Sequence, residues 1–134
     1  MTKRTESERS AELAVGWIEA WKKFDMDWLR GHLAPEFTHI SPFGRFDDRE
    51  SYLAAVEPMA RKSVMELAIV DTISSGDQAV IRFENRTANG AVESCDWVRV
   101  EGDTIQQITS FYDSAKIREL LSDKEQESLN GGGY

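Results

Sequence analysis

Halfway along the chain the apolar residues change period. Before residue 64 they recur at helical spacing; after it they alternate, in four β-rich runs near 64–74, 78–87, 91–101 and 104–113. The signals between the runs, SGD, ANG and GD, are short enough to force antiparallel neighbours. The second half therefore predicts a meander, and the first half must supply whatever covers its apolar face.

The first half reads as helices. Thr5 and Glu8 have capping-box spacing, and Leu13, Trp17, Trp21 and Phe24 follow at helical intervals, which predicts a long first helix with an aromatic stripe. Asp25 can cap a short second helix, MDWLRGHL, that Pro35 stops from extending, and 37–43 then reads as a strand. Asp47 and Glu50 mark the start of a third helix whose apolar face is Leu53, Val56 and Ala60, kinked or ended near Pro58. A last short helix is expected over 115–121. The residues 122–134, SDKEQESLNGGGY, are polar with three glycines and read as a disordered tail. The order ααβαββββα, in one domain over 1–121 without repeats, is an α+β fold: a curved, mostly antiparallel sheet wrapped around N-terminal helices.

Charge and cysteine content exclude several function classes. A chain of 134 residues with 40% apolar and 30% charged residues can bury one core. Its formal net charge of -8 opposes binding to nucleic acid or to an anionic membrane, both of which need clustered Lys and Arg. The single cysteine, Cys95, cannot close an intrachain disulfide and reads as a small hydrophobe, so a cytoplasmic setting is expected. No stretch has the pattern of a secretory signal or of a membrane span.

Strand parity selects the candidate site. In QAVIRFENR, Ala79, Ile81, Phe83 and Asn85 share the face turned to the helices. In the next strand Val92, Ser94, Asp96, Val98 and Val100 share a face, which puts the Asp96 carboxylate on an apolar side. There it must be neutral or held by a partner, and either a catalytic acid or a merely satisfied structural Asp fits. Phe37, His39, Ser41 and Phe43 share one face of the first strand, but periodicity does not say whether that face is inward. No second ligand stands at metal spacing from His39, His32 is a weaker candidate still, and nucleotide, P-loop, serine-hydrolase and zinc motifs are missing. Trp17 and Trp21 fit either a ligand platform or a core stripe.

The strings WIEAWKKFDMDWLRGHLAPEFTHISPFG, GRFDDRESYLAAV and CDWVRVEGDTIQQITSFYDS resemble the nuclear transport factor 2 superfamily, which includes ketosteroid isomerases and SnoaL-like polyketide cyclases. The resemblance covers about residues 10–121. It implies a cone-shaped, cystatin-like α+β barrel with a deep apolar pocket, usually dimeric. Ketosteroid isomerase uses an Asp base, with a Tyr and a neutral Asp donating to the oxyanion. By the resemblance, Asp96 matches the neutral Asp, Ser41 stands where the base Asp would be, and Trp17 stands where the Tyr would be. Ser110 stands where SnoaL-like cyclases place an acid/base carboxylate; nearby Asp113 has the opposite parity. Two of three isomerase groups are thus replaced, so steroid isomerisation itself is not expected.

The same fit implies that His39 and Ser41 face the pocket, with Ile81, Phe83, Asn85, Val98 and Tyr112 lining it. The expected function is a lyase, isomerase or cyclase without metal or organic cofactor, acting on a small apolar carbonyl or epoxide compound. His39 would move a proton from one wall; Asp96 on the opposite wall, helped by Tyr112, would stabilise the oxyanion. The alternative is a noncatalytic ligand-binding or dimerising domain whose cavity is filled by Trp17, Trp21 and Phe83. A homodimer is expected through the outer sheet face, around Arg82, Glu84, Arg86, Glu93, Cys95, Trp97 and Arg99.

Overall fold

In a computed structural model, residues 5–62, 66–88 and 90–120 are described. The elements run α1 (Glu6–Lys23), α2 (Met26–His32), β1 (Leu33–Ser41), β2 (Gly44–Phe46), α3 (Arg49–Lys62), β3 (Glu66–Ser75), β4 (Gln78–Thr87), β5 (Gly90–Glu101), β6 (Thr104–Phe111) and α4 (Ser114–Leu120). The six strands form one curved, unclosed sheet in the order β2-β1-β6-β5-β4-β3. Every neighbouring pair is antiparallel except β1 and β6. The expected meander is therefore β3 to β6, and β1 joins its last strand in parallel.

Two of the hairpin turns follow from one dipeptide. Ser75 pairs with Gln78 and Glu101 with Thr104, leaving Gly76-Asp77 and Gly102-Asp103 as two-residue loops. Both glycines have positive φ, 57° and 61°, while neither aspartate does, the pattern of a type II′ turn that matches the twist of its strands. Gly76 also anchors α1. Ser10, fully buried, donates its hydroxyl to the Gly76 carbonyl at 2.7 Å, and the Gly76 N–H donates to Ser7 Oγ at 2.8 Å.

The helix caps agree with the sequence in two places and differ in one. Thr5 Oγ1 accepts from the Glu8 N–H at 3.1 Å, and Asp25 Oδ1 accepts from the Trp28 N–H at 3.0 Å. For α3 the cap is Asp48, not Asp47: Asp48 takes the Ser51 N–H at 2.7 Å and the Ser51 hydroxyl at 2.8 Å. With two adjacent aspartates the spacing alone could not choose. Nor does Pro58 end α3, which runs on to Lys62. Asp113 caps α4 one residue earlier than expected, accepting from the Ala115 and Lys116 N–H groups.

Two strand expectations also change. Pro35 lies inside β1 rather than in a loop before it. It is tolerated because the β1–β6 ladder is interrupted between Leu33 and Thr38, so its missing N–H breaks no regular pairing. The strand expected over 37–43 ends at Ser41: Pro42 and Phe43 form a turn, and the chain comes back as β2, with Ser41 opposite Gly44 and His39 opposite Phe46. The expected tail, 122–134, lies outside the described residues.

α1 lies across β3 and β4 on the concave face, and its stripe of Leu13, Trp17, Ile18 and Trp21 is buried there. The period-2 reading of β4 and β5 holds: Ala79, Ile81, Phe83, Val92, Val98 and Val100 are buried, while Arg82, Glu93, Trp97 and Arg99 point out. On β1, Phe37 and His39 are inward. No helix among the described residues is long and apolar enough to cross a membrane.

Where α1 and α2 meet, Gly16 lies flat against the Trp28 indole, and a Cβ there would collide with the ring. Trp28 cannot turn away freely, because its ring also stacks on His32 with centroids 4.1 Å apart. Gly16→Ala is expected to lower stability by about 1–3 kcal/mol, the usual cost of overpacking. Denaturant unfolding checks this; an unchanged midpoint would show that the α1–α2 contact yields easily.

Candidate functional site

The concave face and the helices leave a cavity of about 360 Å³. Its volume lies within the range of small-molecule sites. Trp17, Trp21, Tyr52 and Phe83 supply much of the apolar wall, and Lys22 and Glu66 are the other charged residues that line it besides the two described next.

His39, Ser110 and Asp96 lie in a row across three neighbouring strands, β1, β6 and β5. His39 pairs with Ile108 in the β1–β6 ladder, and Asp96 pairs with Ser110 in the β5–β6 ladder. Ser110 is two residues beyond Ile108 and so on the same face. Its hydroxyl is 3.2 Å from His39 Nε2. From the other side of the cavity, Trp17 Nε1 on α1 donates to Asp96 Oδ2 at 2.8 Å. All three polar residues are buried, His39 at 2% and Asp96 at 3% exposure. His39 is packed between aromatic rings: Tyr52 lies with its centroid 4.7 Å away and Trp17 at 6.2 Å.

Burial governs both titrations. It pushes the Asp96 carboxyl up to about 6, against hydrogen bonds from Trp17 and Ser110 that favour the ionised form. The same burial holds His39 down at about 3, so its imidazole is neutral at any physiological pH. Asp96 can therefore take and release a proton near neutrality, whereas His39 is a weak base. That ordering reverses the division of labour expected from the sequence. The geometry differs too: His39 and Asp96 do not face each other from opposite walls but share one, with Ser110 on the strand between them.

The other sequence candidates divide. Trp17, Trp21, Phe83, Asn85, Ser110 and Tyr112 line the cavity with His39 and Asp96. Ser41, Ile81 and Val98 do not. Ile81 and Val98 are sealed in the core at 0% exposure, at the correct parity but beneath other side chains. Ser41 stands at the end of β1, where its hydroxyl accepts from the Phe43 N–H at 3.2 Å and stabilises the turn into β2. His32 bonds the Trp28 carbonyl through Nδ1 at 2.8 Å, and Asp113 is a helix cap.

Tyr52 and Ser94 are additions. Tyr52 is four residues before Val56, so the helical period of α3 already contained it. Ser94 shares Asp96's parity and accepts from Asn85 Nδ2 at 2.6 Å, a second polar pair in the cavity wall. Among the described residues, no group of three His, Cys, Asp or Glu side chains could hold a metal ion.

Comparison with known proteins agrees with this architecture. The family model described as the SnoaL-like domain matches residues 14–108. A protein from Kribbella flavida superposes with a TM-score of 0.76 at 19% identity, over 90% of this chain and 99% of that one. A candidate SnoaL-like polyketide cyclase from Jannaschia sp. CCS1 gives 0.75 at 13% identity, over 92% and 98%. A candidate ketosteroid isomerase, also from Kribbella flavida, gives 0.72 at 15% identity, over 82% of each chain. At these identities the likeness is one of fold. No curated protein matches the sequence significantly.

The raised Asp96 pKa makes folding depend on pH in a direction that can be measured. Because the folded state favours the protonated carboxyl, this group stabilises the fold below its unfolded value of 3.8 and loses that contribution as pH rises through about 6. His39 acts oppositely, favouring the fold above 6.5 and losing that contribution as pH falls toward about 3. Asp96→Asn removes the first effect and keeps the second. Wild type should thus lose roughly 2–3 kcal/mol relative to the variant between about pH 4 and pH 8, as the displaced pKa requires. Urea unfolding of both proteins at each pH checks it, and a constant difference would show Asp96 to titrate normally.

Proposed function

This chain belongs to the SnoaL-like domain family, and we propose that its cavity binds a small, largely apolar carbonyl compound and rearranges it by acid/base chemistry, as an isomerase, lyase or cyclase without a cofactor. The observation that carries the proposal is the Asp96 carboxyl, buried against aromatic walls and titrating at about 6. A structural carboxylate would be expected to collect several donors; this one has a single N–H, from Trp17, and the Ser110 hydroxyl beside it. Perturbed acids of that kind cluster at functional sites.

In this reading Asp96 removes the proton α to the carbonyl. Excluding water from an apolar cavity keeps the carboxylate poorly solvated and hence more basic than an exposed Asp. Neutral His39 and the Tyr112 phenol serve as hydrogen-bonding partners for oxygen atoms of the substrate rather than as bases. The neighbours described as a polyketide cyclase and a ketosteroid isomerase support carbonyl chemistry of this class. The single cysteine fits a cytoplasmic setting.

Exchange of ketone α-protons into heavy water tests the reading without knowledge of the natural substrate. With cyclohexanone, acetophenone and tetralone as probes, wild type should accelerate exchange of at least one, rising with pH through about 6. Asp96→Asn should lose at least about a hundredfold, the scale of a general base. Equal exchange by the variant would remove Asp96 from the chemistry. Probes that raise the melting temperature without exchanging would favour a binding domain on the same fold.

We further propose that two copies pair through the outer sheet face. Ile73, Val80 and Trp97 form a cross-strand row there, with Ile73 at 71% and Trp97 at 48% exposure, and Phe111 lies on the next strand, also exposed. The neighbouring charges are matched within the face, Arg82 to Glu93 at 3.0 Å and Arg86 to Glu84 at 2.8 Å, so their repulsion would not oppose pairing. Sedimentation at micromolar concentration is expected to give a two-chain mass that Trp97→Arg reduces to one. A single-chain mass for wild type would overturn the pairing.

A further inference from the structure

We infer that Asn85 and Ser94 form a second polar subsite of the cavity, one that recognises a hydroxyl group on the ligand at a fixed distance from Asp96. The inference deepens the reading above and rests on it for the carbonyl end of the ligand; the hydroxyl end is argued from the pair itself. It narrows the ligand class to hydroxylated carbonyl compounds.

The pair spans two strands. In the β4–β5 ladder Ser94 is opposite Phe83 and Asn85 is opposite Val92, so Asn85 and Ser94 are diagonal neighbours on the concave face. Asn85 Nδ2 donates to Ser94 Oγ at 2.6 Å, and both residues line the cavity. Ser94 is buried at 2% exposure, whereas Asn85 is half-buried.

What the pair leaves over decides what it can bind. A serine hydroxyl has one proton of its own to donate, and a carboxamide has a carbonyl oxygen besides its two N–H groups. Once Ser94 Oγ has accepted from Asn85, its own proton meets no acceptor among the described residues, and Asn85 Oδ1 meets no donor there. Turning the amide over would exchange the two roles and leave the same remainder, one donor and one acceptor side by side. The backbone around them is already engaged, because β4 is hydrogen-bonded between β3 and β5, and β5 between β4 and β6. A buried hydroxyl proton without an acceptor is costly, and a complementary ligand atom recovers that cost.

A ligand hydroxyl is the complement of this remainder, since it accepts from Ser94 and donates to Asn85 with one atom. A ketone or ether oxygen satisfies Ser94 alone and sets its lone pairs against Asn85 Oδ1. A carboxylate fails in the same way. Nor does the lining attract one by charge, because Lys22 and Glu66 are of opposite sign.

The fold also fixes where the hydroxyl falls. Ser94 and Asp96 are two residues apart on β5, hence on one face and about 6–7 Å from each other. Val92, the next inward residue, packs with Ile117 of α4 instead of lining the cavity, and Val98 on the far side of Asp96 is sealed in the core. Along β5 the cavity wall is therefore Ser94 and Asp96 alone. A carbon that loses its proton at Asp96 would lie about one six-membered ring away from a hydroxyl held at Ser94.

The test compares probes within each protein. Tetralone, its ring-hydroxylated isomers, their methyl ethers and the corresponding carboxylates are titrated calorimetrically in mildly acidic buffer, where the phenols are neutral. At least one hydroxylated isomer is expected to bind wild type at least about fivefold more tightly than tetralone, the scale of one net hydrogen bond, and its methyl ether should lose that gain. In Ser94→Ala, and separately in Asn85→Leu, the affinity ratio of that isomer to tetralone should fall to about one; each ratio is internal to its variant, so either variant suffices if the other does not fold. Ratios near one for every isomer in wild type overturn the subsite and leave carbonyl binding standing. A gain that persists in the variants, or an ether or carboxylate that binds as well as the phenol, also overturns it. Binding of no probe at all would overturn the cavity as a carbonyl site and the subsite with it. A hydroxyl preference without exchange of α-protons would support the subsite and count against the proposed chemistry alone.

Discussion

The hydrogen bond from Trp17 to Asp96 joins the two halves of the fold at the point where they meet the cavity. It spans 79 residues of sequence and ties the middle of α1 to the middle of β5. Without it the carboxyl would be buried with little compensation, and α1 would be held over the sheet by apolar packing, by the Ser7 and Ser10 bonds at Gly76 and by the ion pair of Arg9 with Asp103. The aromatic stripe of α1 is thus two things at once. Trp21, Phe37 and Tyr52 pack around Trp17 as core, while the indole N–H is directed at a charge.

That bond also changes what the resemblance to ketosteroid isomerase means. Where the isomerase has a Tyr and a neutral Asp both donating to the substrate, the indole here donates to the Asp itself. An indole has no acceptor and one proton, so the Trp cannot serve Asp96 and an oxyanion together. Ser41, at the place of the base, is turned into the β1–β2 hairpin and is absent from the cavity wall. The buried polar groups of the cavity are instead gathered on β5, β6 and β1, around the Asp96 carboxyl.

Legibility in the sequence followed the strength of local rules. Parity found the inward faces of β4 and β5 because both are long, regular and packed against helices, and the Gly-Asp turns were visible because positive φ there demands glycine. The α3 cap was misplaced by one residue because Asp47 and Asp48 satisfy the same rule, and β2 was missed because three residues carry no period. Parity also named Ile81 and Val98 as cavity residues, although it reports which face a side chain is on and not whether another lies above it. The row of His39, Ser110 and Asp96 was legible as three residues but not as a row. Their adjacency depends on the parallel β1–β6 pairing, set by contacts about seventy residues apart that no local pattern encodes.

The two buried titratable groups set limits on each other. Each favours its neutral form, and they do so over overlapping ranges of pH: Asp96 resists ionising as pH rises, His39 resists protonating as it falls. A cationic His39 next to an ionised Asp96 would be a buried ion pair, and the apolar walls make both desolvation costs large. A cavity walled by Trp17, Trp21, Tyr52 and Phe83 gives little solvation to charge. The aromatic residues that make the core thereby also hold both groups toward their neutral forms rather than toward an ion pair.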